Sequence, residues 1–359
     1  MQPPSPRGQE IVPLTSIRGI AAVWVVALHL SQELTQRHWI SPPSGVLAHL
    51  VAGGDAAVDL FFVLSGYIIA RTYGRRTDLG RFFAHRCARI LALHWTVLTL
   101  MALMVGAMEL MGMRPKDPSF FAFGTLVYQY TLTSAWVGQV NWNTPTWSLD
   151  AEAAAYAVFP LLQLVARRAK APALAAIALG CVAGHVATIG LAGFGVWGWP
   201  ALARGLFGFG AGASLWYAAE TRTAPRWLAP AAAAVMAGMA ATGQYQAAAL
   251  PFAALVIGLG NSAGGAFAGW MSAAPLAWLG RVSFSIYLLH TPILLAVVQV
   301  MDRIPALRAS PAATAACATA YGVLTLVAAE AGWRLIETPA RRYLRRQGDA
   351  VFAAKPPRL

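Results

Sequence analysis

The sequence predicts an all-α, polytopic membrane protein with about ten transmembrane helices and both termini in the cytoplasm. Three observations carry that prediction. Of 359 residues, 58% are hydrophobic and only 11% charged, where a soluble domain carries about a quarter charged. The apolar residues gather in runs of about 20, the length that crosses a bilayer as a helix. The basic residues also segregate: alternating loops place 21 of the 27 on one side and five on the other, with Arg204 inside a span. This composition argues against a soluble enzyme, a disordered chain and a nucleic-acid-binding domain. The net charge of +13 records orientation rather than a nucleic-acid partner. Cys87, Cys181 and Cys317 are too few and too scattered for a disulfide framework or a metal site.

In chain order, the polar segment MQPPSPRGQE leads into an apolar run at about 14 that has no small-residue cleavage site after it. It reads as a retained first span rather than a signal peptide. Spans are expected at about 14–32, 52–72, 90–111, 147–166, 172–192, 199–219, 227–243, 246–263, 280–300 and 311–333. Residues 119–137 are apolar and aromatic enough for one more. Crossing there would put Arg167, Arg168 and Lys170 outside and invert every later loop, so this segment is expected not to cross. Arg7, Arg76, Lys355 and Arg358 then count as inner charges, Arg114 and Lys116 as outer ones. Residues 113–146 become an outer loop with a re-entrant or surface-lying aromatic helix shielded by protein. Residues 1–346 read as a single membrane-embedded domain, and 347–359 as a short cytoplasmic tail.

Polar side chains at membrane depth are costly and mark cavities, partners or function. The first span, LTSIRGIAAVWVVALHL, carries Arg18 and His29 eleven residues apart. That spacing is close to three turns, so both lie on one face, about 16 Å apart along the axis. Alternatively, Arg18 snorkels to the inner surface and His29 marks the outer boundary. In the second span, GGDAAVDLFFVLSGYIIA, Asp55 and Asp59 share a face. They are either outer-surface residues or carboxylates that orient His29. Ser65 and Gly66 interrupt the apolar run, which suits close helix packing. In the following inner loop, Arg86 and Arg89 are three apart at the expected start of a helix. Such a pair suits phosphate through forked hydrogen bonds, and plain topogenic charge accounts for it too. The fourth span opens NWNTPTWSLDAE, with Trp147 as an interfacial anchor and Glu152 one to two turns inside without a local basic partner. The ninth holds His290 in mid-membrane, just before Pro292. His94, His185, Arg204 and Glu330 complete the set; most of these read as structural, Arg204 least.

From the first span to about residue 346, these features resemble the integral-membrane acyltransferase-3 family. The resemblance rests on Arg18-x10-His29, FFVLSGYIIA, Arg86-x-x-Arg89, TPTWSLDAE at 144–152, SFSIYLLH ending at His290, and IETPARR at Glu337 to Arg342. It implies transfer of an acyl group, usually acetyl, from cytoplasmic acyl-CoA to a hydroxyl of a carbohydrate or lipid-linked glycan, in the plasma (inner) membrane. It implies that His29 is the catalytic base, with Arg18 on the same face, and that Arg86 and Arg89 contact coenzyme A. Read from the polar residues themselves, Asp59, Glu152 and His290 are expected beside them in the catalytic set, and Ser65, Gly66 and Tyr67 at the coenzyme A site. Trp147, Ser148 and Arg204 are expected at the acceptor. No cofactor is expected beyond acetyl-CoA as co-substrate, and the expected partners are donor, glycan and membrane lipid. Some members carry a further soluble domain after the last span. Here only a short segment follows it, so the chain is expected either to finish the transfer or to hand the acyl group on.

The residues fit this chemistry by themselves. Attack of a hydroxyl on a thioester needs a base near neutral pKa, for which histidine is suited. Coenzyme A places phosphates at one end and the acyl group at the other end of a thin arm. One cavity is therefore expected along the Arg18–His29 face, lined by Asp59 to Ser65, Glu152 and His290. A proton-coupled transporter of a small anion, with His29, Glu152 and His290 as a relay, is the competing reading. It calls for paired broken helices in two halves, and no matching halves are visible. A scaffold whose polar residues serve packing only is a third.

Overall fold

The computed structural model describes residues 10–75, 78–112, 119–262 and 264–353. Of the residues named above, Arg7, Arg76, Arg114, Lys116, Lys355 and Arg358 lie outside these ranges. So do 113–118 of the expected outer loop and 354–359 of the expected tail. Among the described residues the chain forms α-helices and no strand; a lone bridge pairs Ala224 with Ser262.

Helix α1 (Val12–Gln36) opens with Pro13, where a missing N–H costs nothing. Helices α2 (Gly45–Ala52) and α3 (Gly54–Tyr73) meet at Gly53. A Cβ there would lie 2.3 Å from the Trp24 ring, so glycine is what lets α1 approach. Helix α4 (Leu79–Leu110) is capped by Asp78, whose carboxylate accepts from the Arg81 backbone N–H at 2.9 Å. This helix starts well before the expected residue 90. Arg86 and Arg89 therefore lie inside its body, about two to three turns from the end, rather than at its start.

After the short α5 (Leu126–Tyr130) come α6 (Trp147–Arg168), α7 (Ala171–Ala192), α8 (Gly198–Ala219), α9 (Leu228–Thr242) and α10 (Ala249–Asn261). Then follow α11 (Ala266–Met271), α12 (Ala274–Arg303), α13 (Pro311–Gly332), a π-helical turn (Trp333–Glu337) and α14 (Thr338–Ala353). Among the described residues seven helical segments are long and apolar enough to cross a membrane: α1, α2 with α3, α4, α6, α7, α12, and α13 with its continuation. The chain is a multi-pass, all-α membrane protein. The other three expected spans are helical too, but they differ. Helix α8 has 22 residues and carries buried Arg204. Helices α9 and α10 have only 15 and 13 residues, short of the ~20 that a straight crossing needs. Gly243, at φ +72°, ends α9 and turns the chain back toward α10.

Large apolar residues such as Leu103, Leu161, Leu179 and Val327 stand exposed on α4, α6, α7 and α13, as a lipid-facing surface requires. Where helices cross most tightly, glycines line the crossing. A Cβ on Gly19 would come within 2.6 Å of Gly280 on α12, and a Cβ on Gly212 of α8 within 1.9 Å of the Val63 carbonyl on α3. These contacts bury backbone against backbone, the mode by which small residues drive helix association in lipid.

The segment 119–137 forms no continuous helix. It runs as a short 3-10 turn, the five-residue α5 and a second 3-10 turn at Ser134–Val137, interrupted by Leu132 at φ +56°. Its polar backbone is docked on protein: the His94 ring and Trp95 Nε1 bond the carbonyls of Gln129 and Tyr130, each at 2.9 Å. Asp150 accepts from the Ala135 N–H at 2.9 Å. At the other end, α14 runs through residue 346 without a break. Phe352 packs over Gly80, and Asp349 is hydrogen-bonded to His85 and ion-paired with Arg81, each at 3.0 Å. Residues 347–353 thus pack onto α4 as part of the folded unit.

Candidate active site

Arg18 is drawn to α12 by the Gly19–Gly280 crossing, which brings its guanidinium against backbone. Its Nε donates to Ser283 Oγ and its Nη2 to the Gly280 carbonyl, both at 2.9 Å. Eleven residues later His29 meets the same helix: its Nδ1 lies 3.0 Å from His290 Nε2, with the rings stacked 5.1 Å apart. The shared face of α1 read from the sequence is therefore the face that packs on α12.

The ring bonds assign the tautomers. His290 Nδ1 lies 3.2 Å from the Ile286 carbonyl, which accepts only, so this nitrogen carries the proton. His290 Nε2 is then the acceptor, His29 Nδ1–H the donor, and His29 Nε2 keeps a free lone pair. The orienting partner of His29 is another histidine, not the carboxylate considered from sequence.

Asp59 is elsewhere. It is fully buried and accepts from Arg204 Nε at 3.1 Å. Arg204, also fully buried, bonds the carbonyls of Asp55 at 3.0 Å and Gly195 at 3.2 Å, and lies 4.9 Å over the Trp147 ring. His185 Nε2 is 3.1 Å from the same carboxylate oxygen but not in hydrogen-bonding orientation. Both side chains are fully buried, so neither Asp59 nor Arg204 faces an opening, although Asp59 Oδ2 has no hydrogen-bond partner among the described residues. Gly66 is likewise a packing residue: a Cβ there would lie 2.0 Å from the Phe209 carbonyl. Tyr67 turns away to bond Asn261 on α10.

A partly open cavity lies between α1, α3, α4, α6 and α12. Its polar lining is Arg18, Ser65, Arg86, Arg89, Ser148, Glu152, Tyr156, Ser283 and Tyr287; Phe61, Phe62, Phe284 and aliphatic residues complete it. Glu152, without a basic neighbour in sequence, accepts from Ser65 Oγ at 2.8 Å and from the Tyr156 hydroxyl. Among the described residues Arg86 donates only to the Tyr73 hydroxyl, at 3.3 Å, and its buried Nε has no hydrogen-bond partner; the guanidinium lies 5.1 Å over the Tyr73 ring and 5.9 Å over the Tyr156 ring. Among the described residues neither Arg18, Arg86 nor Arg89 is in an ion pair. Three guanidinium groups thus face one carboxylate in a low-dielectric cleft, an arrangement that favours a bound anion with phosphate-like oxygens.

The single cavity expected from the sequence is shorter in the structure. It holds Arg18, Ser65 and Glu152 but stops short of His29 and His290. Tyr287 closes that end, with its ring 6.0 Å from His290 and its hydroxyl bonded to the Pro145 carbonyl and Ser148 Oγ, each at 2.9 Å. Sequence reasoning passed over Tyr156 and Tyr287. Each had a visible signal, since Tyr156 is four residues after Glu152 and Tyr287 three before His290. Asp150 gave none: its role in holding the outer loop depends on residues the fold brings to it.

Helices packed around a cationic cleft beside a buried histidine pair define a membrane-embedded protein with a polar interior site. The family model described as an acyltransferase domain (Acyl_transf_3) matches residues 14–329, and the chain belongs to the acyltransferase-3 family. It is similar to Acyltransferase MdmB of Streptomyces mycarofaciens, 29% identical over 168 residues, which are 45% of this chain and 42% of that protein. It is also similar to Protein 2 in picA locus of Rhizobium radiobacter, 30% identical over 168 residues, which are 42% of this chain and 81% of that protein. The chain thus aligns with less than half the length of the first of these relatives. No solved structure matches it.

Proposed function

We propose that the protein moves an acyl group, acetyl in the first instance, from acyl-CoA to a hydroxyl of a cell-surface glycan. The observation that carries the reading is the cavity with three arginines and one carboxylate, with the His29–His290 pair beyond its closed end. Arg86, Arg89 and Arg18 hold the phosphates of the donor. Arg18 is grouped with the donor rather than the reacting atoms because it lies about 16 Å along α1 from His29.

At the other end, His29 Nε2 takes the proton of the acceptor hydroxyl. The oxygen bonds the thioester carbonyl carbon, the carbon–sulfur bond breaks, and the proton returns to the thiolate. His290 holds His29 in the tautomer that leaves Nε2 basic, and Ser65 with Tyr156 holds Glu152 in the cavity wall. The aromatic segment 119–142 borders the acceptor side, while Trp147 is taken up under Arg204. The family membership supports acyl transfer as the reaction class.

The test is turnover of radiolabelled acetyl-CoA by purified protein in nanodiscs, alongside mass spectrometry of cell-surface glycans with and without the gene. His29→Ala should lower transfer by about 10²- to 10⁴-fold, the usual worth of a general base, while the protein inserts and folds normally. Near-normal turnover by that variant would remove His29 from the mechanism.

A further inference from the structure

Tyr287 stands where the cavity comes nearest the histidine pair: it lines the cavity, which includes neither His29 nor His290, and its ring centroid lies 6.0 Å from that of His290. It is 5% exposed and packs edge-on against Phe61 with centroids 5.6 Å apart. The His290 ring itself is fully buried.

What holds Tyr287 is not its own helix but the turn that begins α6. Its hydroxyl donates to the Pro145 carbonyl and accepts from Ser148 Oγ. One residue further along α12, the Leu288 carbonyl accepts from Asn143 Nδ2 at 2.8 Å. The turn at 143–146 is itself set by the aromatic loop: Asn141 Nδ2 donates to Thr146 Oγ1 at 2.8 Å, and Gln129 Oε1 accepts from the Trp142 N–H at 2.8 Å. A continuous line of hydrogen bonds therefore joins the 119–146 loop to Tyr287. Pro145 and Asn143 offer Tyr287 and Leu288 a carbonyl and an amide that a small shift of the loop would withdraw.

We infer that Tyr287 is a positioning residue that partitions the donor cavity from the His29–His290 pair, and that displacement of the 143–146 turn by the acceptor opens the partition. This rests on the acyl-transfer reading. The partition keeps water activated by His29 from the thioester until a hydroxyl is in place. In its absence the unproductive reaction is hydrolysis: a water oxygen bonds the acyl carbon, the carbon–sulfur bond breaks, and the water proton taken by His29 passes to the thiolate. The products are the free acid and coenzyme A.

Two measurements test this, and the first needs no donor. In a background with Cys87, Cys181 and Cys317 replaced by serine, His29→Cys is exposed to an impermeant thiol reagent. The reagent is applied from the side on which Ser65→Cys, in the cavity, reacts. With Tyr287 present, position 29 should be protected; with Tyr287→Ala it should label at least about tenfold faster, as expected of an opened gate. Equal labelling in both backgrounds overturns the partition. The second measurement follows acetyl-CoA hydrolysis without acceptor in chains that keep His29. Tyr287→Phe, which keeps the ring and loses both hydroxyl bonds, should raise this hydrolysis above the wild-type rate. A rate unchanged from wild type overturns the coupling to the 143–146 turn. Absence of any acetyl-CoA turnover by the wild type would instead strike the donor reading, while the labelling result would still decide the partition.

Discussion

Two clusters of buried charge meet on different faces of α3, and they are built on opposite plans. Around Asp59, the Arg204 guanidinium has a carboxylate, two backbone carbonyls and two aromatic faces within reach, and nothing opens toward it. Around Ser65, Arg86 has one tyrosine hydroxyl and an unbonded Nε, while Arg89 faces the cavity without a carboxylate. Both clusters contain the same residue types at membrane depth. Desolvation penalises each arginine, but only the first is compensated by the protein itself. The difference teaches how to separate structural from functional arginines here: a buried guanidinium whose nitrogens are all met by the protein is part of the scaffold, and an undersatisfied one awaits a ligand. Intramembrane charge alone, the criterion available from sequence, does not make that distinction.

The comparison breaks most visibly at Arg204. Arg204→Ala strands the Asp59 carboxylate and should cost about 3–5 kcal/mol, read as a large fall in thermal unfolding temperature in detergent. Asp59→Asn combined with Arg204→Met should recover part of that loss, because neither charge is then left alone. If Arg204→Ala unfolds like wild type and loses only activity, the cluster belongs to the site after all.

Across α3 the opposite pattern is expected. Arg86→Ala with Arg89→Ala should leave the unfolding temperature near wild type and weaken acetyl-CoA binding about 100-fold, since each charged hydrogen bond contributes about 1.5–3 kcal/mol. Isothermal titration beside a melting curve separates the two effects. A destabilised chain with unchanged affinity would reduce both arginines to scaffold or topology.

Gly66→Ala sharpens the contrast from the packing side. The added methyl meets the Phe209 carbonyl and should cost about 1–3 kcal/mol of stability without altering donor affinity in the folded fraction. A donor-specific defect would return Gly66 to the binding site. The smallest effect belongs to Arg86→Lys. The ammonium keeps the charge and loses the planar fork and the stacking on Tyr73 and Tyr156, so affinity should fall only about tenfold. Full retention would show that charge alone is read.

Much of the fold was written locally. Apolar runs of bilayer length, prolines in first turns and the one-sided arginines specify a polytopic helical chain, and each of the ten expected segments is helical. The periodicity of α1 placed Arg18 and His29 on one face, and that face is the one against α12. Segment 119–137 shows the limit of composition. It is apolar enough to span, yet its backbone turns at Leu132 and bonds to α4, a result that charge bias anticipated and hydropathy did not.

The sequence by itself determined the class of protein, the membrane-spanning character and the residues worth watching, because length, hydropathy and helical period act within a single segment. Only the tertiary structure decided who partners whom. It gave Asp59 to Arg204, His290 to His29, Ser65 and Tyr156 to Glu152, and left Arg86 undersatisfied. It also brought Tyr287 to the cavity wall beside His290. The reason is physical: satisfaction of a buried charge or hydrogen-bonding group depends on groups from helices distant in sequence, and their arrival is fixed by packing at contacts such as Gly19–Gly280 and Gly212–Val63.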